Sequence, residues 1–270
     1  MTPLQPDAHW LAALQARASQ PPRAPRLPLL AGAARVGSVE AGFFEKNGLQ
    51  AAPELREVLQ KTERSGAPAW HLAAPLDASL AALAQALRVA GLAGAWRDEL
   101  LAVTDEQGTA LGVVERAAVR PLGIATRAVH LLARSPDGRH WVQKRALNKA
   151  NDPGLWDTLM GGMIAAADTL QTALARETWE EAGLRLDAVA GLARGGRVTI
   201  RRPAADGGGA GYVLEHIDWF QCTLPDGVVP VNQDGEVDEF RLMTRDELLA
   251  RLQRDEFTLE AALMLCAAGV

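Results

Sequence analysis

The sequence predicts an α+β protein, with a smaller α+β domain over residues 1–120 preceding a second domain over 121–270. Three observations carry that expectation. The chain has 270 residues, more than one compact domain usually needs. Its first hundred residues, rich in Ala, Leu and Pro, read mostly as helix, whereas from about Pro121 the texture turns to strands. Among those strands lies one helix marked at both ends by capping signals.

In the first domain, residues 8–18 read as a helix closed by the breaker run 20–25, residues 29–39 as a strand, and 53–62 and 76–90 as helices. Residues 100–103 and 110–115 flank Asp105-Glu106-Gln107-Gly108 and read as a hairpin. In the second, strands over 123–133 and 140–145 flank Asp137-Gly138, a strong hairpin signal. A Gly- and Pro-containing stretch, 151–162, leads to a helix over about 169–182. Strands follow over 198–202, 212–224 and 240–243, then helices over 244–254 and 258–268. The loop 206–211 is Gly-rich but lacks the Gly-Lys-Ser/Thr of a phosphate cradle, so it reads as a flexible hairpin loop.

Composition narrows the function. Hydrophobic residues at 48% and charged residues at 23% exclude a disordered, collagen-like or coiled-coil chain. A net charge of -5 repels nucleic acid and anionic membranes, so a polyanionic substrate needs a cation as go-between. Cys222 and Cys266 form neither a disulfide framework nor a zinc site and suggest a reducing compartment. Met1 to Trp10 shows no signal peptide, and no apolar run reaches the ~18 residues of a membrane span. The expectation is a cytoplasmic protein with a small-molecule substrate; a homodimer is left open.

The informative segment runs from Gly162 to Leu184. Asp168 with Gln171 resembles a capping box, and Gly183 sits where a helix ends in a left-handed residue. At 100° per residue, Leu170, Ala173 and Leu174 form an apolar stripe that continues into Glu177 and Glu181, with Glu180 at its edge. Carboxylates at that spacing repel, more strongly when partly buried. Arg176 reaches Glu180 at i+4, but one guanidinium does not neutralise three carboxylates. An oxygen-rich cluster without imidazole suits Mg²⁺ or Mn²⁺, and Mg²⁺ also binds substrate phosphates.

This segment resembles the Nudix box, Gly-x5-Glu-x7-Arg-Glu-U-x-Glu-Glu-x-Gly-U with U a bulky aliphatic residue, through Gly162, Arg176, Glu177, Glu180, Glu181, Gly183 and Leu184. It departs at Asp168 and Thr178, where Glu and an aliphatic residue are usual. The resemblance implies a mixed sheet sandwiched between helices, an α/β/α arrangement. It also implies that Glu177, Glu180, Glu181 and the Gly162 carbonyl ligate Mg²⁺, that Arg176 orients the glutamates, and that the reaction is hydrolysis of a diphosphate linkage. In this family a further acid from a later loop often takes part; Glu236 is the candidate, with Asp238 and Glu239 as alternates.

The stretch 141–145, with Lys149, Pro153-Gly154, Gly161-Gly162 and 234–237, is similar to the Nudix subgroup found with thiamine pyrophosphokinase, in which a domain of uncharacterised function comes first. That similarity implies a thiamine diphosphate-like substrate, including oxidised forms. Lys144, Arg145 and Lys149 are candidates for its phosphates. Trp179 points away from the carboxylate stripe and is a candidate to pack on the first domain, whereas His130 and His216 lack a second His at ligand spacing and read as core or surface. Alternatives are a hydrolase of nucleoside-diphosphate-linked substrates, a non-catalytic ligand sensor, and a diphosphate isomerase, whose chemistry would want a cysteine facing a glutamate; Cys222 is the strand cysteine available.

Overall fold

A computed structural model describes residues 7–270; residues 1–6, on which the absence of a leader was mostly read, lie outside the described residues. After helix α1 (Ala8–Ala18), the first sheet is built from β1 (Arg26–Ala31), β2 (Ala34–Glu40), β3 (Leu59–Arg64) and β4 (Ala67–Leu72), in the order β2-β1-β4-β3. Short helix α2 (Phe43–Lys46) and α3 (Leu76–Val89) pack on it around Phe44, Trp70, Leu80 and Leu83. A separate hairpin, β5 (Leu100–Thr104) with β6 (Ala110–Glu115), completes this part.

Two expectations fail here for local reasons. Residues 29–39 are two strands, not one, because Gly32 turns the chain at φ 56. Residues 53–62 are a short 3-10 turn at Pro53–Leu55 followed by β3, not a helix. Ser65 and Gly66 both have positive φ, the requirement of a tight hairpin turn, and pairing with β4 overrides helical preference.

The second sheet holds β7 (Thr126–Arg134), β8 (His140–Arg145), β9 (Trp156–Asp157), β10 (Met160–Met163), β11 (Ala190–Ala204), β12 (Gly211–Thr223) and β13 (Val237–Met243). Its order is β11-β12-β7-β8-β13, with β10 pairing β7 and β9 pairing β8. It is mixed: β12 runs parallel to β7, and the other pairs are antiparallel. Helix α4 (Leu170–Ala182) covers one face over Val129, Leu131 and Cys222. Helices α5 (Arg245–Leu252) and α6 (Leu259–Ala267) cover the other over Val142, Ile217 and Met243. The expected α/β/α sandwich is therefore present. Strands β9 and β10 lie inside the stretch read as loop.

The two halves are stitched together. Ser38 N–H donates to Leu122 O at 2.8 Å and Tyr212 N–H to Arg120 O at 2.9 Å, while Arg26 reaches Ala210 O at 2.6 Å. The 206–211 loop is not a free hairpin loop: Gly207, Gly208 and Gly209 all have positive φ, and Gly207 N–H is fixed to Leu92 O at 3.0 Å. Helix α1 sits in the first 120 residues but buries Leu14 in the second core, beside α6, with Trp10 and Leu11 packed against it. No helix among the described residues is long and apolar enough to cross a membrane.

Candidate active site

Helix α4 places the acidic residues, and its start differs from expectation. Thr169, not Asp168, is the N-cap: Thr169 Oγ1 accepts from Thr172 N–H and Thr172 Oγ1 from Thr169 N–H. Asp168 lies one residue too early to cap and instead takes Arg176 Nε at 3.0 Å and Nη2 at 2.8 Å. Gly183 ends the helix at φ 62, as expected.

Arg176 gathers one set of carboxylates. Its Nη1 also donates to Glu177 Oε1 at 2.8 Å and to Glu180 Oε2 at 2.9 Å. Glu181 is held apart from that set and is 2% exposed. Its Oε2 accepts from Gln143 Nε2 at 2.8 Å and from Gly161 N–H at 3.0 Å, and Lys149 Nζ lies 3.8 Å from its Oε1. Lys149 also pairs with Glu236, which brings that residue to the cluster. Arg145 donates to Asp157 Oδ2 at 3.2 Å and carries that buried carboxylate to the same side.

Burial dominates the titration of these groups. It pushes Glu181 up to about 7, against the Gly161 amide, Lys149 and Gln143, and it raises Glu177 as well. Burial also lowers Lys149, a shift that nearby Glu181 opposes.

Gly161 and Gly162 let β10 pass between two side chains. A Cβ on Gly162 would overlap the Glu177 carboxylate on the α4 face, and a Cβ on Gly161 would overlap the His130 ring on the other. Only glycine permits those approaches.

As the side chains stand, no three acidic, imidazole or thiol groups among the described residues converge on one point. Arg176 holds Glu177 and Glu180, while Gln143, Gly161 and Lys149 hold Glu181. The donor chemistry nevertheless fits a hard divalent cation: three carboxylates on one flank of a helix, all oxygen, with Glu177 lying against the Gly162 backbone and Glu181 buried without full neutralisation.

Other expected residues fall elsewhere. On β8, Trp141, Gln143 and Arg145 face α4, whereas Val142 and Lys144 alternate to the α6 face, so Lys144 is not brought to the glutamates. Asp238 and Glu239 are exposed on β13. Trp179 is 52% exposed and does not pack on the first domain, because it sits on the solvent side of α4. His130 is buried with Nδ1 2.9 Å from Thr158 Oγ1, and His216 meets Thr199, as core and surface readings predicted. Cys222 is buried in the α4-side core, where burial pushes its thiol up to about 12. Gln143 and Gly161 entered the sequence reading only within the stretches 141–145 and 161–162, with no role of their own, and Asp157 not at all; polar residues inside strands otherwise buried were the available signal.

The family follows from comparison. A sequence model of the NUDIX domain matches residues 125–263, more than half of the chain, and the chain belongs to that family. An uncharacterised Nudix hydrolase of Pseudomonas aeruginosa is 43% identical over 91 residues, which are 34% of this chain and 53% of the relative, so the match spans about half of that relative's length. An isopentenyl-diphosphate Delta-isomerase of Streptomyces avermitilis is 32% identical over 163 residues, covering 59% of this chain and 78% of the relative. Among solved structures, a protein of Deinococcus radiodurans aligns at TM-score 0.49 and 19% identity over 62% of this chain and 98% of its own.

Proposed function

We propose that this protein is a Mg²⁺- or Mn²⁺-dependent hydrolase that cleaves the diphosphate linkage of a small organic diphosphate in the cytoplasm. The observation that carries the reading is Glu181, a nearly buried carboxylate short of positive charge, one turn from Glu177 on a helix that also carries Glu180. Such an arrangement costs stability on its own and is relieved by a bound cation.

Glu177, Glu180, Glu181 and the Gly162 carbonyl would hold the ion. When bound, it neutralises phosphoryl oxygens and acidifies water. Arg176 keeps Glu177 and Glu180 on one flank. Arg145 and Lys149 supply the positive charge beside them for substrate phosphate. Glu236, released from Lys149 when that lysine turns to phosphate, accepts the proton of the attacking water. Lys144, on the opposite face, reaches substrate only if the substrate wraps the sheet edge.

For the substrate we propose thiamine diphosphate or an oxidised form of it, which rests on the likeness of 141–145, Lys149, Pro153-Gly154, Gly161-Gly162 and 234–237 to the thiamine-associated subgroup. Isomerisation, as in the name of the Streptomyces relative, is disfavoured by Cys222, which is buried among apolar side chains beneath α4 and held as a thiol. The test is product chromatography, with Mg²⁺ and with EDTA, on thiamine diphosphate and its oxidised forms, ADP-ribose, NADH, dinucleoside polyphosphates and nucleoside triphosphates. Mg²⁺-dependent release of phosphate or monophosphate from the thiamine compounds alone is the expected result. Turnover of nucleotides alone removes the thiamine assignment, and no turnover of any compound favours a ligand sensor.

A further inference from the structure

Gln143 is 1% exposed, and the two ends of its amide differ sharply. Nε2–H donates to Glu181 Oε2 at 2.8 Å, and the Gly161 amide donates to the same oxygen at 3.0 Å. The Glu181 oxygen that faces Gln143 already accepts the Gly161 N–H, and an accepting oxygen takes an N–H and repels a carbonyl oxygen. Oε1 must then face the other way, and among the described residues no protein donor reaches it although it is buried. A buried acceptor left without a donor is costly, and such groups are satisfied by ordered water when protein offers nothing. Its surroundings are polar. Asp157 pairs with Gln143 across β8 and β9, Arg145 follows on the same strand face, and Lys149 stands near Glu181. Oε1 is sealed in the structure, so a water reaches it only where neighbouring side chains give way, and there it would find the two or more polar partners it needs.

We propose that Gln143 is a positioning residue of this site: Nε2–H fixes one oxygen of Glu181, and Oε1 holds a water molecule beside that carboxylate. The amide so orders both the carboxylate and the water it works with. The role rests on the reading of Glu181 as a cation ligand; the held water does not, and the two are separable by experiment. Hydrogen bonds behind a metal ligand typically contribute about 10–100-fold to metal affinity or activity.

The test uses the full chain. Crystals of the wild type without metal, at a resolution that shows water, are expected to have a peak at hydrogen-bond distance from Gln143 Oε1. Lys149 Nζ or any other protein donor bonded to Oε1 instead would overturn the water. Calorimetric titration of Mg²⁺ into wild type, Gln143→Met and Gln143→Glu reads the other half. Gln143→Met, similar in volume without donor or acceptor, is expected to bind Mg²⁺ about 10–100-fold more weakly. Activity restored at saturating Mg²⁺ and an unchanged KM would accompany that loss. Gln143→Glu keeps the acceptor but sets a second carboxylate against Glu181, and should place the ion differently rather than copy Gln143→Met. Equal Mg²⁺ affinity in all three proteins, with only the melting temperature lowered, would make Gln143 a packing residue and overturn the role. A wild type that binds no Mg²⁺ would instead sink the hydrolase reading and the positioning role together, with the water peak judged separately.

Discussion

Helix α4 carries two carboxylate environments one turn apart, and they are built on opposite principles. Asp168, Glu177 and Glu180 share the Arg176 guanidinium, with Glu180 and Arg176 partly in water. Glu181 is almost wholly buried, has two neutral donors on one oxygen, and keeps its nearest cation at 3.8 Å. The first set shares one guanidinium among three carboxylates at hydrogen-bond distance; the second keeps its nearby ammonium beyond that distance. Helical spacing alone treats all three glutamates alike, whereas exposure and partners set Glu181 apart from the other two.

The largest expected effect falls on the under-neutralised side. Glu181→Gln should fold and keep its backbone contact to Gly161, yet lose at least ~100-fold in turnover, measured as kcat on the best substrate of the panel. Unchanged turnover in the purified variant removes Glu181 from the site. Next comes Gly162→Ala, whose Cβ would push the Glu177 carboxylate off β10. It should cost about 1–3 kcal/mol by denaturant unfolding and ~10–100-fold in activity. Gly161→Ala displaces His130 instead, and should lose stability with a smaller loss of activity.

A pH series sharpens the contrast further. Because burial lifts Glu181 to about 7 from its ordinary 4.5, the folded state binds its proton more tightly than the unfolded state. The stability this brings is present at low pH and is lost as pH rises from 4.5 to about 7. Glu260, also lifted to about 7 by burial, acts in the same sense, while His130, lowered by burial, acts in the opposite one. The difference in melting temperature between wild type and Glu181→Gln isolates the Glu181 share, and saturating Mg²⁺ should abolish it. The smallest effect is Thr169→Ala, a lost cap costing about 1 kcal/mol in thermal unfolding with activity kept.

The carboxylate stripe of the candidate site could be read from residue spacing, because a helix turns at a fixed angle and brings Glu177, Glu180, Glu181 and Arg176 together; the stop at Gly183 followed from residue type, and the roles came from the family resemblance. The identity of the cap could not be read in these ways. Asp168 and Thr169 are both good N-caps by type, and their difference is decided by Arg176, eight residues on, which takes the aspartate away. Gln143 and Asp157 were hidden for another reason: strand pairing brings them to Glu181 and Arg145 from distant positions, and no local pattern encodes that. In the first domain, 53–62 was misread because its pairing with β4, through the turn at Ser65-Gly66, outweighs local propensity.

Helix α1 adds a constraint on timing. Its apolar residues Leu11 and Leu14 are covered in the core that contains Met264 and Leu265 of α6, hundreds of residues later in the chain. During synthesis α1 thus lacks its complete docking surface until α6 has emerged. Helix α1 is in that sense laid late: a ribosome-bound chain that has not yet released α6 holds Leu11 and Leu14 without that cover.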